Sequence, residues 1–106
     1  MPLYLGRFKY SAEAIKAMIE NPQDRGAVAA KTAESLGGKL HGLWWALGDC
    51  DGVFLMEAPD NATVVALSMA VGASGQVSTE NTVLLDMDEA QEAMRKAATA
   101  TFSPPA

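Results

Sequence analysis

The sequence predicts an α+β domain: a four-stranded antiparallel sheet with helices packed on one side. Three observations carry this expectation. Apolar residues alternate with period two in four separate stretches, around residues 2–10, 39–47, 53–57 and 76–86. Capped segments with helical spacing fill the long gaps between the first and second strands and between the third and fourth. The second and third strands are joined by only a few turn residues, so they form a hairpin. The resulting order is β-α-β-β-α-β, followed by one more helix.

Pro2 to Tyr10 reads as the first strand, with Tyr4, Gly6, Phe8 and Tyr10 alternating against Leu3, Leu5, Arg7 and Lys9. Ser11 is placed to cap a helix reaching Glu20, in which Ile15, Met18 and Ile19 share a side and Glu13, Lys16 and Glu20 face water. Asn21-Pro22 interrupts it, because proline disfavours helical backbone at the residue before it. Asp24 caps a renewed helix through Leu36, with Val28, Thr32 and Leu36 at spacing four, and Gly37-Gly38 ends it.

Residues 38–58 form the hairpin and hold both tryptophans, the single histidine and the single cysteine. Asp51-Gly52 is a tight-turn signal that Gly48 and Asp49 can widen to four or five residues. Alternation places His41, Leu43, Trp45, Leu47, Phe54 and Met56 on one face and Gly42, Trp44, Ala46, Val53 and Leu55 on the other. Neither hairpin face is polar, whereas a half-solvated sheet alternates apolar with polar residues. Helices of so short a chain cover one face, so the second cover expected is another copy of the protein.

Ala58-Pro59-Asp60-Asn61 is the next turn, with Asp60 or Asn61 capping a helix to about Ser74 whose alanines and Gly72 suit close approach to a sheet. Gly75 stops it. Gln76 to Asp86 is the fourth strand, Asp88 to Thr99 a charged terminal helix, and residues from about 100 to Ala106 a frayed tail. The whole is the split βαβ, or ferredoxin-like, plan in a single domain over residues 1–106. Right-handed crossovers put both main helices on one face.

Composition narrows the function. With 106 residues and a net charge of −5, the chain lacks the clustered basic residues that nucleic acid or an anionic membrane requires. One cysteine excludes an internal disulfide and fits a reducing, cytoplasmic setting. Residues Met1 to Phe8 lack a charged leader with a long apolar core, so no signal peptide is expected, and no run reaches the roughly 20 apolar residues of a membrane span.

The spacing of Tyr4-Leu5, Phe8-Lys9-Tyr10-Ser11, Asn21-Pro22, Arg25, Leu36-Gly37-Gly38, Gly48-Asp49-Cys50-Asp51-Gly52-Val53 and Glu57-Ala58-Pro59-Asp60-Asn61 resembles the GYD domain family over roughly residues 2–97. Cys50 stands where that family's triplet has tyrosine. The resemblance implies a dimeric α/β barrel, a group that includes cofactor-independent monooxygenases, small isomerases and haem-degrading enzymes. It implies a fold and an assembly rather than a reaction.

Candidate chemistry is sparse. His41 is the single imidazole of the chain, and it could transfer a proton if Glu80 or Glu57 oriented it. Tyr4, Phe8 and Trp44 are the expected walls of an aromatic pocket between sheet and helices. Arg7 within the first strand is expected to pair with Glu80 or to hold an anionic ligand. Tyr10, Asn81 and Thr82 are further polar groups that could meet in a cavity. Asp49, Cys50 and Asp51 are too few for a metal site and are explained by turn chemistry. No Ser-His-Asp order, phosphate-binding glycine loop or zinc spacing is present.

The leading expectation is therefore a small homo-oligomer, paired through sheet faces, that binds a small apolar or aromatic molecule or serves assembly, with no cofactor. The alternative is a cofactor-independent monooxygenase- or isomerase-type enzyme using His41. Haem binding through His41 is the weaker third.

Overall fold

The computed structural model describes residues 1–105; Ala106, the last position of the expected tail, lies outside them. The elements run β1 (Leu3–Tyr10), α1 (Ala12–Glu20), α2 (Arg25–Ser35), β2 (Lys39–Trp45), β3 (Gly52–Glu57), α3 (Asn61–Gly72), β4 (Val77–Leu84) and α4 (Met87–Ala97). The strands form one sheet in the order β2-β3-β1-β4, with every neighbouring pair antiparallel. This is the ferredoxin-like arrangement expected from the sequence, with α1 and α2 together forming the first crossover.

The caps follow local chemistry. Ser11 Oγ accepts from the Ala14 amide at 3.1 Å, and Asp24 Oδ1 accepts from the Gly26 and Ala27 amides at 2.9 and 3.3 Å. Asp60 Oδ1 accepts from the Thr63 amide and hydroxyl at 2.9 and 2.7 Å. Those two bonds, the hydroxyl's foremost, hold the Asp60 carboxyl below the ordinary aspartate range. Gly37, with φ of +81°, supplies the left-handed turn after α2.

The register sorts the sheet into two faces. On the covered face the rows across the four strands are Leu40-Met56-Tyr4-Val83, Leu43-Phe54-Gly6-Asn81 and Trp45-Gly52-Phe8-Thr79, followed by Tyr10-Val77. Tyr4, Phe8, Phe54 and Met56 join Ala33, Ala58, Val64 and Leu67 in the buried core. Glycines let the rings lie flat on the sheet. A Cβ on Gly6 would enter the Phe54 ring, and one on Gly52 would enter the Phe8 ring. The rings of Phe8 and Phe54 stack with centroids 6.4 Å apart.

On the open face the rows are Lys39-Glu57-Leu3-Leu84, Gly42-Leu55-Leu5-Thr82 and Trp44-Val53-Arg7-Glu80, followed by Lys9-Ser78. Its centre is apolar and half-buried, while charged and hydroxyl residues gather towards its margins. The hairpin's covered face is apolar, but its open face already mixes Lys39, His41 and Glu57 with Trp44, Val53 and Leu55, and β1 and β4 add Arg7, Glu80 and Thr82.

Several expectations are corrected here. The register shifts between Leu40 and Gly42, and the extra residue of this bulge turns His41 to the open face, away from Leu43, Trp45 and Phe54. Both tryptophans are more than half exposed, Trp44 at 53% and Trp45 at 58%: Trp44 lies on the open face, and Trp45 ends the edge strand β2, which has a neighbouring strand on one side only. Asp51-Gly52 is not the tight turn. Gly52 is a buried strand residue, and the connection is the six residues 46–51. Asp51 instead extends the β1–β3 ladder: its amide donates to Phe8 O at 2.9 Å and its carboxylate accepts from the Tyr10 amide at 2.8 Å. In α1 it is Ala14 that is buried, while Ile19 is exposed.

The terminal helix α4 stands off the body. None of its residues is buried, and the radius of gyration is 17.4 Å, against about 13 Å for a compact domain of this length. Its apolar residues Met87 and Met94 face solvent.

Candidate functional site

The site builds from a gap in the helical layer. In the sheet order, α2 packs against β2 at one edge and α3 against β4 at the other. The strip of sheet between them is floored by Phe8 and Phe54, whose positions the two glycines set. The result is a cavity of about 100 Å³, open to solvent on one side. Leu40, Leu43, Leu67, Val71 and Val77 line its walls, with Val28 and Ala29 from α2 above. Its polar lining is short: Arg25, Thr32, Tyr10 and Thr79. Thr32 and Thr79 are already engaged, the first donating to Val28 O at 3.0 Å and the second to Ser68 Oγ at 2.9 Å.

Aromatic rings continue from the floor to the sheet edge. Phe8 meets Tyr10 edge-on at 5.3 Å and Trp45 at 6.5 Å, and Tyr10 lies 5.4 Å from Trp45. Trp45 is thereby coupled to the cavity through two of its lining residues. A cavity of this size has room for no more than a single small ring or a short branched chain. An apolar cavity of about 150 Å³ in another protein stays dry and takes benzene.

The residues singled out from the sequence divide between the two faces. Phe8 floors the cavity. Tyr4 does not reach it: the ring is buried in the core and its hydroxyl donates to Asn61 Oδ1 at 2.7 Å, tying β1 to the start of α3. Trp44 lies on the opposite face, its ring folded back over Gly42. The expected common wall of Tyr4, Phe8 and Trp44 is therefore not formed, because strand alternation puts Trp44 across the sheet from the other two.

Arg7 and Glu80 stand opposite each other in the register on the open face. Arg7 is exposed and donates to Thr82 Oγ1 at 3.5 Å; among the described residues it forms no ion pair with Glu80. Asn81 donates to Ser68 Oγ at 2.8 Å under α3, leaving its Oδ1 buried without a partner.

His41 Nε2 lies 3.7 Å from Glu57 Oε2, with both side chains about one third exposed. Of the two carboxylates considered for orienting it, Glu57 is the one at hand. The pair sits on the open face, so the sheet separates it from the cavity. Cys50 and Asp49 overhang a broad polar groove with Arg7, Lys9, Ser78 and Glu80. Among the described residues no group of three or more His, Cys, Asp or Glu side chains is placed to hold a metal ion. No helix among them is long and apolar enough to cross a membrane.

Sequence reasoning missed most of the true cavity walls. Val28 and Thr32 were visible as a spacing of four on α2, but nothing in the chain says that α2 and α3 leave a gap between them.

Comparison with known proteins agrees with this architecture. The family model described as GYD domain matches residues 4–94. A search of curated proteins gives no match. Among solved structures, the crystal structure of MtbAldR superposes with a TM-score of 0.51 at 12% identity, over 80% of this chain and 52% of that one. This chain thus spans about half the length of that protein, and the likeness is one of fold.

Proposed function

The chain belongs to the GYD domain family, and from that premise we propose that it is a small-molecule binding module of paired copies. The ligand is a small apolar or aromatic molecule held in the cavity between α2 and α3. The observation that carries this reading is an aromatic-floored cavity of about 100 Å³ opening to solvent beside the buried core. Cavities lined by aliphatic and aromatic side chains favour occupants that bury apolar surface, at roughly 25 cal/mol per Å².

Pairing uses the open sheet face. Leu3, Leu5, Val53 and Leu55 form an apolar centre there with Trp44 beside it, and a second copy would remove that surface from water. No charged residue lies in this centre, and Arg7, Glu57 and Glu80 surround it as a polar rim.

The test is calorimetric titration of the full chain with benzyl alcohol, alongside Val71→Phe, which fills the cavity. Saturable one-to-one binding that is lost in Val71→Phe supports the reading. Absent or equal binding in both proteins rejects it. Light scattering tests the assembly: a mass of two chains that falls to one in Leu55→Lys is expected, and a single-chain mass for the native protein at micromolar concentration contradicts pairing.

A second reading, a cofactor-independent monooxygenase- or isomerase-type enzyme with His41 moving the proton, is favoured by the approach of His41 to Glu57. A second copy over the open face would enclose this pair. Turnover of a candidate aromatic substrate that survives in His41→Ala would discard it.

A further inference from the structure

Among the described residues, Arg25 is the one cation on the lining of the apolar cavity. It is partly buried, and among the described residues no carboxylate forms an ion pair with it. Its Nη1 donates to the neutral Gln23 Oε1 at 3.0 Å, leaving most of the guanidinium fork free. Asp24, the adjacent acid, is turned to the helix end, where it accepts from the Gly26 and Ala27 amides. Two first-turn amides of α2 are thus occupied by Asp24, and the guanidinium is the charged donor left to receive an anion.

Tyr10 stands with it. Both residues line the main cavity and also the smaller pocket beside it, and the Tyr10 hydroxyl forms no hydrogen bond among the described residues. One guanidinium and one phenol that share the lining of an apolar space match a particular ligand chemistry. The body must be small and apolar, and the head must be a single planar anion that can accept two parallel N–H bonds. A phosphate monoester, carrying about two charges, would want more cationic donors than this rim supplies.

We infer that the cavity selects a small monocarboxylate, an aromatic or short branched-chain acid, whose carboxylate pairs with Arg25 and accepts from Tyr10 while its apolar body rests on Phe8 and Phe54. This rests on the cavity being the binding site and adds the class of its ligand. Charge-assisted hydrogen bonds of this kind distinguish an acid from its neutral isostere by about tenfold or more.

The experiment compares benzoate with benzyl alcohol by calorimetry on the full chain at neutral pH and low salt. Benzoate is expected to bind at least about tenfold more tightly, with a preference that shrinks as salt is added. In Arg25→Gln the preference falls to near unity, and Arg25→Lys retains part of it. Benzoate binding no more tightly than benzyl alcohol to the native chain overturns the inference while leaving the cavity itself standing. So does a preference that persists in Arg25→Gln. Binding of neither probe overturns both the inference and the reading on which it rests.

Discussion

Phe54 and Leu55 are neighbours in β3, yet they live in different surroundings. Phe54 is buried beneath the helices, over Gly6 and beside Phe8. Leu55 lies on the open face between Gly42 and Leu5 and is only half-buried. The same alternation carried across four strands makes one face a core with a cavity in it and the other an apolar patch with a charged margin. Stability is concentrated on the covered face. The open face keeps partly exposed apolar surface, and such surface is where association is expected.

The sharpest way to break this contrast is to truncate on the covered face. Phe54→Ala removes a ring from the core and is expected to cost about 3–5 kcal/mol, read from the midpoint of denaturant unfolding. A loss below about 1 kcal/mol would mean that the two faces do not differ as described. Gly6→Ala comes next. Its Cβ would meet the Phe54 ring, so overpacking of about 1–3 kcal/mol is expected on the same measurement.

Leu55→Ala on the open face sharpens the comparison. In dilute protein it is expected to cost about 1 kcal/mol, because the side chain is only half removed from water. If copies pair through this face, the cost grows with protein concentration, since association adds to the stability of the native chain alone. A concentration-independent cost would separate Leu55 from any interface.

The smallest effect is one of pH. Asp60 caps α3, one of the two helices that cover the sheet, and its carboxyl is held below the ordinary aspartate range by Thr63. A depressed folded-state value contributes stability that is present above the unfolded value, near pH 4, and is lost as pH falls through the folded value. Acid unfolding of Asp60→Asn should therefore show a shallower loss of stability below about pH 4 than the native chain. The group is fully exposed, so the difference is small. An unchanged acid limb would remove Asp60 from the cause.

Much of this fold was legible in the residues. Alternation in β1 and in the hairpin, Ser11 and Asp24 as caps, and Gly37 after α2 lead to the element order directly, because each is a local rule acting on adjacent residues. What was not legible is tertiary. The bulge between Leu40 and Gly42 moved His41 across the sheet, since a single extra residue inverts alternation. Trp44 was expected under the helices as a pocket wall, yet it lies on the open face, and it is Trp45, at the end of the edge strand β2, that meets Phe8; edge position follows from strand order rather than from composition. Asp51-Gly52 has the chemistry of a turn but serves the ladder, where the carboxylate takes the place of a strand carbonyl in front of Tyr10. The residues lining the cavity come from six elements. A gap between two helices leaves no mark on either, which is why Arg25 appeared in the sequence only as a basic residue after a cap.

The central claim is that small ligands enter on the covered face and not on the open one. Methyl-resolved NMR of the full chain titrated with benzyl alcohol tests it most directly. Shifts confined to Val28, Leu43, Leu67, Val71 and Val77 are the expected result, with Leu3, Leu5, Val53 and Leu55 unmoved. Shifts centred on those four open-face residues, or none at saturating probe, would contradict it.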